Sequence, residues 1–332
     1  MDKPELLVVA RQPDYLLDDL AKDFVLHRLD VAADPDRLVE EVGPRIRGAL
    51  AGGMKGPDAA LIAKLPNLEI VSSNSVGYDA TDVPAAHARN VIVTHTPDVL
   101  TDDVADLAMT LMLMIGRRIG EAERFIREGR WPQGPMPLAV KVSGKRLGIV
   151  GMGRIGTAVA KRASGFGMQI AYTDIVVKGT APYDFVPSLH DLARQSDFLL
   201  VSCVGGPTTR GLIDAAVLDA LGPKSFLVNI ARGTIVNEPD LVKALKEKRI
   251  AGAGLDVFFD EPHAPPELFE MDNVVITPHV ASATNETRRA MADLVADQDI
   301  VTRTALQAVV AGAADQQIVA RTTLEDVVAL HA

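Results

Sequence analysis

The chain has almost no cysteine. A single residue, Cys203, cannot build a disulfide framework, so packing alone must hold the fold, and a reducing compartment suits it. Cys203 ends the apolar run "FLLVSC", the pattern of a buried strand, which reads as an inert core thiol rather than a nucleophile. Positive charge is also short: 34 Lys and Arg face 44 Asp and Glu, a formal net charge of −10. Acids spread along the whole chain argue against nucleic acid or an anionic membrane as partner, while leaving room for a local arginine in an anion pocket. Long hydrophobic runs are missing too. "LAMTLMLMIG" has about half the length of a membrane span and sits between charges. The start, "MDKPELLVVARQPDYLL", lacks the pattern of a signal peptide, so a cytoplasmic protein is expected. No repeat of solenoid length and no low-complexity tract occurs. His27, His87, His95, His190, His263 and His331 show no metal-ligand spacing, and no metal site is expected.

What is present is an alternation. At 332 residues the chain exceeds one ordinary core, so two domains are expected. Short apolar runs ("ELLVVA", "LEIVSS", "VIVTH", "KRLGIVG", "MQIAYTD", "DFLLVSC", "SFLVNIA", "AGAGLDVF", "NVVITPH") alternate with helix-length stretches. That is the signature of parallel α/β sheets rather than a sandwich. Two helices are expected to connect the domains. One covers 100–119, where Thr101 with Asp102 and Asp103 supplies an N-cap and an acidic first turn. The other begins at 282. Residues 1–99 with 283–332 then form one domain, and 100–282 the other. The proline-rich segment "REGRWPQGPMP" carries the only tryptophan, Trp131, and reads as a surface arm. The helix at 100–119 is apolar on nearly all sides, and with this arm it predicts a homodimer.

"KRLGIVGMGRIGTAVAKRAS" places Gly151, Gly153 and Gly156 between a strand pattern and a helix pattern. In that context GxGxxG marks a dinucleotide site. Gly151 permits the turn, Gly153 lets a pyrophosphate approach the backbone, and Gly156 lets helix pack on strand. The next strand ends at Asp174, close to the offset of roughly 20 residues expected for the acid that binds the adenosine ribose hydroxyls. The 2′-phosphate of NADP(H) would meet like charge there, and Ile175-Val176-Val177 offers no arginine, only Lys178 nearby. NAD(H) is therefore favoured, with NADP(H) as the alternative.

Three residues follow predicted strands in the same domain: Arg232 in "NIARGTIVNEPDL", Glu261 in "GLDVFFDEP" and His279 in "TPHVAS". Ligands of open α/β sheets sit beyond the carboxyl ends of the strands, so the three can converge. Reduction of a 2-keto acid needs a cation for the carboxylate and carbonyl, and an acid to protonate the oxygen. Arg232 suits the first task and His279 the second, with Glu261 holding the imidazole in one tautomer and favouring its protonated form. Asp256, a strand-end acid, is expected to face the cofactor site, either to hold the nicotinamide or to tune His279, unless it is plain structural support. His263 and His95 read as a loop residue and a strand-end residue.

"GMGRIG", "NIARGTIVNEPDLVKALKEKRIAGAGLDVF", "DEP" and "TPHVAS" together resemble the D-isomer-specific 2-hydroxyacid dehydrogenase family, over about residues 40–300. "LEIVSSNSVGYDATDVPAA", "TPDVLTDDVADLAMTLML" and "ALGPK" are most similar to its glyoxylate/hydroxypyruvate and hydroxyphenylpyruvate reductases. The resemblance implies two α/β domains, Rossmann-like and flavodoxin-like, with a cleft between them. It implies reduction of a small or aromatic 2-keto acid by a nicotinamide dinucleotide, with Arg232, Glu261 and His279 catalytic. It also implies that the backbone N–H groups of Val76 and Gly77 bind the substrate carboxylate from the other domain. Further cofactor contacts are expected at Arg154 and Ile155, at Cys203, Val204 and Thr209, and at Ile230 and Ala231. The chain departs from the family at Asp174-Ile175, where NADPH-preferring members carry Ser-Arg or Asn-Arg. It departs again at Val204-Gly205-Gly206-Pro207, in place of Leu-Pro, where a looser loop is expected. The segment from 303 onward is unlike the usual short ending. Because the family includes corepressors that keep the catalytic residues, a dinucleotide-sensing binding protein is the alternative reading.

Overall fold

Apolar runs too short for helices become parallel strands. In the computed structural model, which describes residues 3–179 and 181–296, the chain divides into two units. Unit 1 comprises residues 1–99 and 288–332, and unit 2 residues 100–287. The segment from 303 lies outside the described residues. The second break falls between Thr287 and Arg288 rather than at 282/283. The Thr284 hydroxyl bonds Asp103 and also accepts the Thr287 N–H at 3.2 Å, which keeps these residues with unit 2. None of the described helices is long and apolar enough to cross a membrane.

Unit 1 contains β1 (Glu5–Val8), α1 (Asp14–Ala21), β2 (Val25–Arg28), α2 (Pro35–Val42), β3 (Ile46–Ala51), α3 (Ala59–Ala63), β4 (Ile70–Ser73), α4 (Val83–His87) and β5 (Ile92–Thr94). The sheet runs β2-β1-β3-β4-β5 with all pairs parallel. Side chains of Asp34, Asp58 and Asp82 accept backbone N–H groups at the starts of α2, α3 and α4, each such cap being worth about 1 kcal/mol. Along β1 the side chains alternate between two cores. Leu7 and Val9 pack with Val39, Ile46 and Ile62, whereas Leu6 and Val8 pack with Leu16, Leu20, Leu50, Ala292 and Val295. Both faces are thus covered, as a parallel sheet requires.

Unit 2 contains α5 (Thr101–Gly116), α6 (Ile119–Arg127), β6 (Arg146–Val150), α7 (Arg154–Ser164), β7 (Gln169–Thr173), β8 (Asp184–Phe185), α8 (Leu189–Arg194), β9 (Phe198–Val201), α9 (Ala215–Leu221), β10 (Phe226–Asn229), α10 (Glu238–Lys246), β11 (Gly252–Leu255) and β12 (Val274–Ile276). Its sheet order is β12-β11-β10-β9-β6-β7-β8, parallel throughout. The winding reverses between β6 and β9, the topological switch point at which open α/β sheets bind ligands.

The helix expected over 100–119 is two helices. It breaks after Gly116, and Arg118 adopts a left-handed backbone at φ 54° before α6 begins. Thr101 is the first helical residue rather than the cap, and no side chain caps the N-terminus, although Asp102 and Asp103 do fill the first turn. The apolar girth of α5 is used inside unit 2. A Cβ on Gly254 would sit 3.0 Å from Leu111 Cβ, and one on Gly252 3.2 Å from the Ile115 side chain, so the small residues of β11 seat this helix directly on the sheet. Leu111, Met112 and Ile115 are buried there. On its other flank Arg162 of α7 bonds Asp102 at 2.9 Å and Asp106 at 2.6 Å. Burial in its own domain therefore explains why this helix is apolar all round.

Candidate active site

Gly151 follows β6 at φ 96°, a backbone region open to glycine. A Cβ there would lie 2.6 Å from the backbone of Cys203, just after β9, so the two loops touch at the switch point. At Gly156 a Cβ would lie 2.3 Å from the Gly151 carbonyl oxygen, which is why the first full turn of α7 needs glycine. Gly153, the N-cap residue of α7, differs: a Cβ there meets nothing within 4 Å. The bare Cα faces open space, with Arg154 and Ile155 opening the helix behind it. This is the cradle that a pyrophosphate needs, at a helix N-terminus whose dipole favours an anion. Asp174 Oδ2 accepts the Met152 N–H at 2.8 Å, which ties the acid to the glycine turn. Beyond it Ile175 is 99% exposed, and the Lys178 N–H is held by the Tyr172 hydroxyl at 2.9 Å.

Burial pushes the Cys203 thiol up to about 11, and the neighbouring Asp174 carboxylate adds to the rise. A thiol kept protonated this firmly is no nucleophile. The loop after it is tied rather than loose. The Thr209 hydroxyl donates to the Val204 carbonyl at 2.8 Å and the Thr209 N–H to the Gly206 carbonyl at 3.2 Å, with Val204 exposed at the tip.

Beyond β10 the Asn229 side chain braces the turn that carries Ile230, Ala231 and Arg232. Its Oδ1 accepts the Ala231 N–H at 3.1 Å and its Nδ2 donates to the Arg232 carbonyl at 3.0 Å. Sequence reading passed over Asn229, since an asparagine ending an apolar run looks like any strand end. The Arg232 guanidinium donates to the Ala231 carbonyl at 2.8 Å.

The Glu261 and His279 side chains meet. Nδ1 of His279 lies 2.6 Å from Oε2 of Glu261, whose Oε1 accepts the Phe258 N–H at 3.0 Å. Burial pushes the Glu261 carboxyl up. The hydrogen bonds from His279 and Phe258, with the charges of His279 and Arg232, outweigh burial and hold it below the usual carboxylate range. Arg232 thus acts on the same carboxylate that grips the imidazole. The His279 backbone is left-handed at φ 53°, held by its N–H bonds to the Asp256 carbonyl (2.8 Å) and the Thr277 carbonyl (3.1 Å).

Asp256 has no exposed surface and lies under the histidine loop. Its carboxylate takes the Thr277 hydroxyl at 2.6 Å and the Val280 and Ala281 N–H groups at 2.8 and 2.9 Å. His263 is exposed beside Asp260, 3.7 Å away. In unit 1, Val76 and Gly77 lie in the bend after β4. The Val76 carbonyl meets His95 Nδ1 at 3.1 Å, and the Tyr78 ring packs edge-on against His95.

Residues 109–281 match the model of the D-isomer-specific 2-hydroxyacid dehydrogenase NAD-binding domain. The chain belongs to that family. It is 48% identical to glyoxylate/hydroxypyruvate reductase A of Arabidopsis thaliana over 89% of its own length and 94% of the relative's. It is 47% identical, with the same coverage, to the hydroxyphenylpyruvate reductase of Plectranthus scutellarioides. Among solved structures, the NADPH-dependent glyoxylate/hydroxypyruvate reductase of Sinorhizobium meliloti, in complex with NADP and malonate, superposes with a TM-score of 0.83 at 40% identity, covering 89% of this chain and 92% of that one. Within the D-2-hydroxyacid dehydrogenase family the chain is an oxidoreductase with a nicotinamide dinucleotide cofactor and the two parallel-sheet units of its relatives.

Proposed function

We propose that the protein reduces glyoxylate, hydroxypyruvate or aryl-pyruvates to D-2-hydroxy acids, with His279 as general acid, Glu261 as its partner and Arg232 as the substrate-binding cation. The observation that carries this reading is the 2.6 Å contact between His279 Nδ1 and Glu261, on a carboxylate that also feels Arg232. The cofactor fits the residues present, since Gly153 leaves open space at the N-terminus of α7. When bound, the dinucleotide supplies the hydride. Arg232 binds the keto acid through its fork of N–H groups and polarises the carbonyl. With Nδ1 engaged by Glu261, Nε2 of His279 is the nitrogen left to give its proton to the carbonyl oxygen as the adjacent carbon gains hydride. Solvent then reprotonates the ring. The backbone N–H groups of Val76 and Gly77 are proposed to bind the substrate carboxylate. The printed activities of the similar reductases support this substrate class.

For the cofactor we favour NADH. Asp174 presents negative charge at the end of β7, and a 2′-phosphate facing it loses on the order of 1–3 kcal/mol. Lys178 as a flexible ammonium would recover about 1 kcal/mol or less. The Sinorhizobium relative is NADPH-dependent, so both dinucleotides belong in the test. Glyoxylate, hydroxypyruvate, phenylpyruvate and hydroxyphenylpyruvate are assayed with NADH and NADPH at one salt concentration, for the wild type and His279→Ala. The expected result is a higher kcat/KM with NADH. In the variant kcat/KM should fall by at least about 100-fold, the scale of a lost general acid, with dinucleotide affinity nearly unchanged. Ordinary turnover by His279→Ala sinks the mechanism, and a clear NADPH preference sinks the cofactor assignment.

A further inference from the structure

Glu238 is the first residue of α10, next to the Asn237 cap. An acid at a helix start ordinarily needs no explanation beyond the dipole. This one reaches further. Its Oε2 accepts the Phe259 N–H at 3.1 Å, 21 residues along the chain. Burial pushes the Glu238 carboxyl up, the Phe259 bond pulls it down, and the nearby Asp260 and Glu267 charges add to the net rise. A carboxylate held in such a setting is a poor choice for simple helix capping.

The peptide that Glu238 holds is the junction of the site. A Cβ on Gly233 would fall 1.9 Å from the Phe258 carbonyl carbon, 2.0 Å from its oxygen and 2.5 Å from the Phe259 nitrogen. The residue directly after Arg232 therefore lies flat against the Phe258–Phe259 peptide, with no room for a side chain between them. One residue earlier, the Phe258 N–H grips Glu261 Oε1 at 3.0 Å, while Oε2 of the same carboxylate holds His279. Two carboxylates thus pin adjacent amides. Glu238 fixes the outer one, and the inner one orients Glu261.

We infer that Glu238 is a positioning residue for the acid–base pair: it seats the Phe258–Phe259 peptide on Gly233, so that the Phe258 N–H aims Glu261 at His279. The inference rests on the proposed roles of Glu261 and His279. Any acceptor of the same length can do this work, whereas a truncated side chain cannot.

The test compares hydroxypyruvate reduction by full-length Glu238→Ala, Glu238→Gln, Glu261→Gln and the double variant Glu238→Ala/Glu261→Gln. Glu238→Ala is expected to lower kcat by about 10- to 100-fold, the scale of a misplaced catalytic group. KM for hydroxypyruvate and dinucleotide affinity should hardly move. Glu238→Gln should restore most of the rate, because its amide oxygen accepts the same N–H. The double variant should be no slower than Glu261→Gln alone, since the effect runs through Glu261. Wild-type kcat in Glu238→Ala overturns the inference, as does failure of glutamine to rescue, or losses that multiply in the double variant. Should Glu238→Ala fail to fold, Glu238→Asp, too short to reach Phe259, takes its place in the cycle. His279→Ala, run alongside, separates the two readings: ordinary turnover there removes the acid–base assignment itself, whatever Glu238 does.

Discussion

At Glu261 burial opposes ionisation while two hydrogen bonds and two cationic neighbours favour it, and the latter win. A carboxyl whose folded pKa lies below its unfolded value stabilises the fold at pH above the unfolded value of about 4.3, and that contribution is lost as pH falls through the folded value. Glu261→Gln removes the charge at every pH. The difference in Tm between wild type and variant should therefore be widest near neutrality and should narrow once the pH drops below about 4. Thermal melts across that range check it, and a gap that ignores pH would show that the pair does not hold the carboxylate ionised. Asp256 offers a contrast at the same scale. It is fully buried, three donors from the histidine loop bind its carboxylate, and its backbone carbonyl accepts the His279 N–H, so it braces the left-handed turn at His279.

Among the elements, the turn between β6 and α7 separates two uses of glycine. Gly156→Ala puts a methyl 2.3 Å from the Gly151 oxygen and must lift the helix from the turn. Overpacking of this kind typically costs about 1–3 kcal/mol. We expect a Tm lower by several degrees and weaker dinucleotide binding together. Gly153→Ala adds its methyl to open space at an ordinary φ of −80°. It should leave Tm unchanged and weaken dinucleotide binding alone, as calorimetric titration and melting of the two variants can show. Equal melting losses would mean that Gly153 is a packing glycine too. The turn was readable in the chain because strand, glycine spacing and helix follow one another locally, and the convergence of Glu261 and His279 was readable from their places after neighbouring strands. Other features were not. Glu238 in "VNEPDL" looks like any helix-start acid, since its partner Phe259 is brought to it only by the fold. The helix α5 shows the limit of periodicity: an apolar girth says that a helix is surrounded, without saying by what. Here the surroundings are Gly252, Gly254 and α7 of its own unit.

For the whole molecule, with α5 buried in its own unit, α6 and the arm that follows still present apolar surface. Ile126 is 54% exposed, Trp131 67% and Leu138 96%, an apolar set in unit 2 with no core of its own. We therefore propose a homodimer built on α6 and this arm. Light scattering at micromolar concentration should give twice the chain mass of 35.4 kDa, and Trp131→Glu with Leu138→Glu should give the single mass. A monomeric wild type would refute the dimer. A different consequence follows from the second core of unit 1, where Leu6, Val8, Leu16, Leu20 and Leu50 are joined by Ala292 and Val295. During synthesis the chain leaves the ribosome from its N-terminus, and domains fold as they emerge. The first 99 residues appear early, yet the pieces that finish covering their sheet are translated only after all of residues 100–287. The nascent protein must carry a half-clad apolar face through the making of an entire second domain, and it is during that interval that a chaperone would find it.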